Sequence, residues 1–584
     1  MSVARVGAAL AAALLALSAC TADPPPPIQS TETATTTPPA APAATGNPVV
    51  VAIDDVGTGF NPHLLADQSP ANTAVSTLVL PSPFRPAAVG SGVEWLPDAS
   101  LLLSAEVTSQ APFTITYRLR NESQWSDGAP IAAEDFRYLW QQMIDAPGVV
   151  DPAGYEAIDD IASSDGGKTV TVTMTTPYPA WRELFANLLP SHLLKDSLGG
   201  FERGLRDNVS VSGGHFRIES IDRGRDEILL ERNDRYWGSP STPDQILLRR
   251  GGSDAQLADS MRSGDAQIAE VRGGSATLAQ LGAIPNVRTD TRFRSRTLEL
   301  TLNGRVPELA DAEVRRGVMG LLDVDLLSTV ASGTGTAADT VRAQVLSPSQ
   351  PGYVPTAPQA LPRDEALQLL ADAGFVPVPL PPALAPTSGQ PTATTTPVPG
   401  TTRALTVVIG APENDAVAVA VANTAADQLR DAGVDASVAP TDPEELYGTA
   451  LLEGTVDAVV GWSHVGTDVA TAWSSRYGCA APDLASSTTT APDADADPVA
   501  ASNLSGVCDP SLEPVMDQSL RGDVNPTEAV IAAQPQLWNL HTVLPIAQDS
   551  SVVAVGPGVS GATLTGPIEL GVFGDANDWM RVTP

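Results

Sequence analysis

Residues 405–439 constrain the fold more than any other stretch. Leu405 to Ile409 is a largely apolar run, Asp415 to Ala432 is an Ala/Val-rich helical stretch stopped by Gly433, and Val434 to Ala439 is a second apolar strand. Strand, helix and strand in that order make a βαβ unit, which implies parallel strands and a sheet covered by helices. The apolar strand Ala458 to Val460 then delivers Gly461 and Trp462 to its carboxyl end. Open α/β sheets hold their ligands at that end. An α/β fold with a ligand site near Trp462 is the first expectation.

Other segments carry the same kind of signal. The folded part opens with the apolar run Pro48 to Ile53, and Phe113, Ile115, Tyr117 and Leu119 alternate with polar residues as a half-buried strand does. Asp127-Gly128 marks a turn, and Phe136, Leu139, Trp140 and Met143 follow at the spacing of an amphipathic helix. Thr169 to Thr175 alternates again. Leu298 to Asn303 reads as a strand, and Val314, Val318 and Leu321 share one helix face. At 584 residues the chain is well beyond the usual size of one domain, so two or more are expected.

The N-terminus reads as an export signal. Arg5 precedes an apolar run from Val6 to Leu17, too short for a bilayer core that needs about 20 apolar residues. Leu17-Ser18-Ala19-Cys20 closes it with small residues before a cysteine, as a bacterial lipoprotein signal does, so residues 1–19 would be cleaved and Cys20 would carry the lipid. The alternative is an ordinary signal peptide that happens to contain a cysteine. Residues 20–47, rich in Pro, Thr and Ala, cannot bury a core and are expected to form an extended tether. The similar stretches 377–402 and 486–498 are expected to be surface insertions, because periodic structure resumes after each. The expected address is the outer face of the cell membrane.

With Cys20 assigned to lipid, Cys479 and Cys508 remain, and in an exported protein these should pair. A redox or metal role is the alternative, but no CxxC or Cys/His cluster supports it. Charge narrows the partners: 33 Lys and Arg against 68 Asp and Glu leave −35, a surface that repels nucleic acid. Chemistry for catalysis is sparse. His63, His192, His215, His464 and His541 form no metal-ligand pair, and no GxSxG, SxxK or P-loop is present. Asp159-Asp160 is a carboxylate pair of the kind glycoside hydrolysis uses, but adjacent acids are expected by chance among so many. No enzyme activity, metal or cofactor is implied.

Four blocks carry a resemblance. Trp125-Ser126-Asp127-Gly128-Ala129-Pro130, running on to Glu134-Asp135-Phe136, is the first. Gly213-Gly214-His215-Phe216 leading to Glu231-Arg232-Asn233-Asp234-Arg235-Tyr236-Trp237 is the second. Leu300-Thr301-Leu302-Asn303 with Ala312-Glu313-Val314-Arg315-Arg316 is the third, and Asp364-Glu365-Ala366 to Leu369-Leu370-Ala371-Asp372-Ala373-Gly374-Phe375 the fourth. In this order they resemble the family 5 solute-binding proteins, the dipeptide and oligopeptide receptors of ABC importers. The resemblance implies a two-lobe periplasmic-binding-protein-like fold of type II, cluster C, with an extra subdomain in the first lobe. Lobe I would span 48–297 with the subdomain at about 85–205, lobe II 298–529, and 530–584 would return to lobe I. Two-strand crossing would make a hinge.

The same resemblance marks a departure. Peptide-binding members carry Asp three residues after the tryptophan that Trp462 matches, and it pairs with the peptide ammonium; here the position is Val465. An ammonium buried without a carboxylate is costly, so peptide binding by that contact is not expected, although the ammonium could be held elsewhere. Asp468 matches the next acid of the pattern, followed by Val469 in place of the usual Pro. A narrower likeness, carried by Gly59-Phe60-Asn61-Pro62-His63-Leu64-Leu65 and Leu80-Pro81-Ser82-Pro83-Phe84-Arg85-Pro86, points to a lipoprotein branch of the family associated with phosphatidylinositol mannoside and lipoarabinomannan synthesis. It implies a polar glycolipid ligand and a membrane mannosyltransferase as partner. The alternative is a peptide ligand with an ABC permease as partner. In either case Trp462, His464, Val465, Asp468 and Trp473 are the candidate ligand-binding residues, the two tryptophans by stacking on sugar faces.

Overall fold

The computed structural model describes residues 48–90, 92–333, 339–376, 403–466, 468–479 and 502–582. The signal run, Cys20, the tether, and the insertions expected at 377–402 and 486–498 lie outside the described residues. Among the described residues the chain folds around one mixed sheet of eleven strands, ten in line and the short Asp339–Thr340 pairing from the side with Val543–Val555. At one end Asp435–Thr441, Thr406–Pro412 and Ala458–His464 lie parallel, as the βαβ pattern requires. The helix Ala416–Asp431 between the first two in sequence is capped by Asp415, whose side chain accepts from the N–H groups of Val417 and Ala418. It buries Ala418, Val421, Ala422, Ala425, Ala426 and Leu429; the small residues let it lie close to the strands. Gly433, at φ 87°, makes the left-handed stop that a side chain would strain.

Two long strands, Arg288–Leu302 and Val543–Val555, follow in antiparallel order. Beyond them come Ile268–Val271, Val49–Ile53, Gln245–Arg250, Glu227–Arg232 and Phe216–Asp222. The second of these strands serves two cores. Leu298, Leu300 and Leu302 pack with Leu544, Ile546 and the apolar face of the 416–431 helix. Farther along the second strand, Val552 and Ala554 pack instead with Val50, Ala52, Leu257 and Leu281. Their pairing register shifts between Phe293 and Thr297, where the chain passes from one core to the other. The strands of both lobes thus form one continuous sheet.

A separate four-stranded antiparallel sheet runs in the order Leu102–Gln110, Phe113–Leu119, Thr169–Met174, Ile158–Ser164. The helix Ala133–Asp145 covers it, with Phe136 wedged between Tyr117 and Phe185 at centroid distances of 5.5 and 4.8 Å. The conspicuous Trp125-Ser126-Asp127-Gly128 block closes the turn into this helix. Trp125 donates its indole N–H to Asp135, and Asp135 also accepts from the Ala132 N–H and from Ser191. Burial pushes the Asp135 carboxyl up, against these hydrogen bonds. The block is a folding lock, remote from the ligand chemistry. A two-stranded hairpin, Phe84–Val89 with Gly92–Pro97, stands apart from both sheets. The Cys479 and Cys508 sulfurs are bonded, 1.96 Å apart.

Candidate functional site

The register shift places Arg292 to Thr297 on the floor of a cleft between the two cores, and cavities open on either side of it. One, of about 490 Å³, is lined by Asp54, Arg272, Arg296, Asp415, Tyr447 and Trp462. The other, of about 150 Å³, is lined from one core by His464, Gly466 and Thr471 and from the other by Asp151, Tyr178, Glu183 and Glu569. Gln68 lines both.

The floor is a packed ion cluster. Asp549 takes Arg296 at 2.7 Å, Arg272 at 3.3 Å and Arg294 at 3.4 Å, and Arg294 reaches on to Asp54 at 2.8 Å. Burial would lift the Asp549 carboxyl, yet the Arg296, Arg272 and Arg294 guanidiniums hold it far below the usual carboxylate range. Asp549 is held by three guanidiniums and offers no free charge, while Arg294 Nε is buried without a hydrogen-bond partner.

The smaller cavity is electrostatically different. Burial pushes Glu183 well above the usual carboxylate range, and Asp468, Glu569 and Asp151 push it further, while the Asp468 N–H donates to it at 2.9 Å and opposes the shift. Burial raises Glu569 as well, with His464 and Arg292 opposing. Its Oε2 is buried without a hydrogen-bond partner. Carboxyls that resist ionisation, set beside the Tyr178 and Thr471 hydroxyls, make a lining able both to donate and to accept hydrogen bonds.

The five candidates are scattered through this arrangement. His464 is in the smaller cavity, its Nδ1 2.9 Å from Asp151 Oδ2. Val465 is buried just after the strand, its N–H donating to the Ser295 carbonyl at 2.8 Å, and its side chain lines neither cavity. Two expectations need correction. Trp462 lies inside the strand Ala458–His464, not beyond its end. Its indole N–H is given to Asp415, and the Arg296 and Arg272 guanidiniums sit 4.2 and 5.4 Å from its ring centroid. The ring is thus engaged by cation–π contacts within the protein while it also lines the larger cavity. Trp473 is fully buried among Leu512, Met516, Val530 and Leu537 and lines neither cavity. Asp468 caps the helix Val469–Tyr477 by accepting from the Thr471 N–H.

Sequence reasoning missed Asp151, Glu183 and Glu569. They come from three distant parts of the chain, and no spacing signal joins them.

The comparisons agree with this architecture. The family model for "Bacterial extracellular solute-binding proteins, family 5 Middle" matches residues 99–483. The protein named "Probable monoacyl phosphatidylinositol tetramannoside-binding protein LpqW" from Mycobacterium tuberculosis is 48% identical over 99% of this chain and 98% of its own. The oligopeptide-binding protein OppA of the same species is 28% identical, over 34% of each chain. Among solved structures, the oligopeptide-binding protein AppA of Bacillus subtilis, in complex with a nonapeptide, has a TM-score of 0.66 at 13% identity, covering 92% of this chain and 99% of that one. At that identity the likeness shows the fold alone.

Proposed function

The chain belongs to the bacterial extracellular solute-binding proteins of family 5, and from that membership we propose that its cleft holds a polar glycolipid of the phosphatidylinositol mannoside class. The family consists of exported binding proteins, not enzymes. Among the described residues no helix is long and apolar enough to cross a membrane. In this reading the Cys20 lipid holds the receptor at the outer face of the membrane, where such lipids are made. It then supports or regulates lipoarabinomannan assembly beside a membrane mannosyltransferase.

The observation that carries the reading is the smaller cavity. Two of its lining acids, Glu183 and Glu569, are buried in a way that favours the neutral form. Neutral acids and hydroxyls suit the uncharged hydroxyl groups of a mannose ring better than they suit an ammonium. The name of the full-length relative supports the same class.

A peptide ligand delivered to an ABC permease is the second reading. The unpartnered Glu569 Oε2 favours it, since an ammonium placed there would draw that group into its ionised form. Titration of the purified full-length chain with a phosphatidylinositol mannoside and with a mixed oligopeptide library separates the two. Heat and thermal stabilisation with the mannoside alone are expected. Stabilisation by peptides alone would sink the glycolipid reading.

A further inference from the structure

We infer that the hairpin Phe84–Val89/Gly92–Pro97 is a binding site for an acyl chain of the ligand whose polar head lies in the smaller cavity. The inference rests on the glycolipid reading above and adds a second, apolar subsite to it.

Side-chain alternation puts Trp95 and Val93 on one face of the hairpin, and their cross-strand partners Pro86 and Ala88 share that face. Phe84 and Pro97, the next pair, continue it. Every side chain on this face is therefore apolar. Its inner end is anchored: Phe84 is buried with its ring edge-on to Trp181 at 5.3 Å. Its middle is the cavity wall, because Trp95 lines the cavity together with Thr73 and Ser76. Its outer end is open, with Ala88 exposed and Val93 47% exposed.

Two strand residues advance about 7 Å, so the face carries an unbroken apolar track from the wall of a polar cavity outward to solvent. A ligand with a hydroxylated head and a hydrocarbon tail matches that sequence of surfaces. A tail lying along Trp95, Val93 and Ala88 would remove apolar surface from water on both sides.

The other face is mixed. Val89 and Leu96 are exposed there, but Arg85, held to Asp98 at 3.1 Å, and Glu94 lie beside them. The turn carries Gly90 and Gly92, with no bulky apolar residue to enter a bilayer, and the net charge of −35 opposes contact with anionic lipid surfaces. The wholly apolar face of the hairpin is thus the one that carries Trp95 into the cavity wall.

The test compares monoacyl phosphatidylinositol tetramannoside with the same compound after alkaline removal of its acyl chains, by isothermal titration of the full-length chain. The acylated form is expected to bind at least about tenfold more tightly. A Val93→Asn, Ala88→Asn double variant should lose most of that advantage while binding the deacylated form unchanged, which also shows that it is folded. Equal affinity of the unmodified chain for both forms overturns the acyl subsite and leaves the head-group reading standing. Binding of neither form overturns both. A double variant that keeps the acylated advantage but no longer sediments with ligand-free phosphatidylinositol vesicles assigns the hairpin to the membrane and overturns the inference.

Discussion

His464 and Asp151 join the two cores across the cleft, with Nδ1 of one 2.9 Å from Oδ2 of the other. The Tyr178 hydroxyl meets Thr471 Oγ1 at 2.7 Å, and the Ala153 N–H donates to Ser475 Oγ at 3.1 Å. On the rim, Arg206 pairs with Asp442 and Arg203 with Glu444. These polar contacts bridge the cleft, and in a two-lobe binding protein such contacts would act as latches for hinge closure.

His464→Ala removes one latch and one wall of the cavity. A hydrogen bond to a charged group is worth about 1.5–3 kcal/mol, so the closed state should lose roughly a factor of ten or more in population. Small-angle scattering of the ligand-free variant should give a larger radius of gyration than the parent. An unchanged radius would mean that the His464–Asp151 pair does not govern closure.

Gly466 borders the same cavity at φ 120°, and a Cβ there would lie 2.9 Å from Glu569 Oε1. Gly466→Ala should displace Glu569 and strain the backbone, lowering ligand affinity about tenfold with a smaller change in melting temperature. Unaltered affinity would place the ligand away from Glu569.

Asp67 makes stability depend on pH. Burial raises its carboxyl from 3.8 to about 7, against the hydrogen bond from the Asn61 N–H, with Glu444 adding to the rise. Between those values the folded chain holds a proton that the unfolded chain has released, so this contribution to stability is full below about pH 4 and is lost as pH rises to 7. Asp67→Asn should flatten the denaturation midpoint over that window by about one proton's worth of slope. Identical pH profiles for parent and variant would refute the assignment.

Trp473→Ala should lower unfolding free energy by about 3–5 kcal/mol through the cavity it leaves. Ligand affinity of the folded protein should stay within about twofold, since the side chain reaches neither cavity. Calorimetric unfolding beside ligand titration checks both; a large loss of affinity at unchanged stability would return Trp473 to the site.

The parallel pairing of the strands at 405–409 and 434–439 was legible because the βαβ pattern is local: strand, helix and strand lie within residues 405–439 and each has its own periodicity. Val465 was legible because one residue type stood where relatives carry another. Trp473 was not. A tryptophan shortly after a binding strand looks the same in sequence whether its helix turns it to the cleft or to Leu512 and Met516, and that rotation is decided by packing. Trp462 was misjudged for a related reason, since Arg296 and Arg272 reach it from a strand and a loop remote in sequence. Asp151, Glu183 and Glu569 had no signal at all, because only the tertiary fold brings three such distant parts of the chain to one wall of the cavity.

The strand Val543–Val555 carries side chains for both cores and pairs with Arg288–Leu302 along most of its length. Neither half of the molecule can therefore be exchanged for a relative's by a single cut in the chain. A chimera must bring both strands and keep the offset between Phe293 and Thr297, because a slip of one residue turns every side chain beyond it to the opposite face. Specificity in such a receptor changes more readily through substitutions within the cleft than through trading whole lobes.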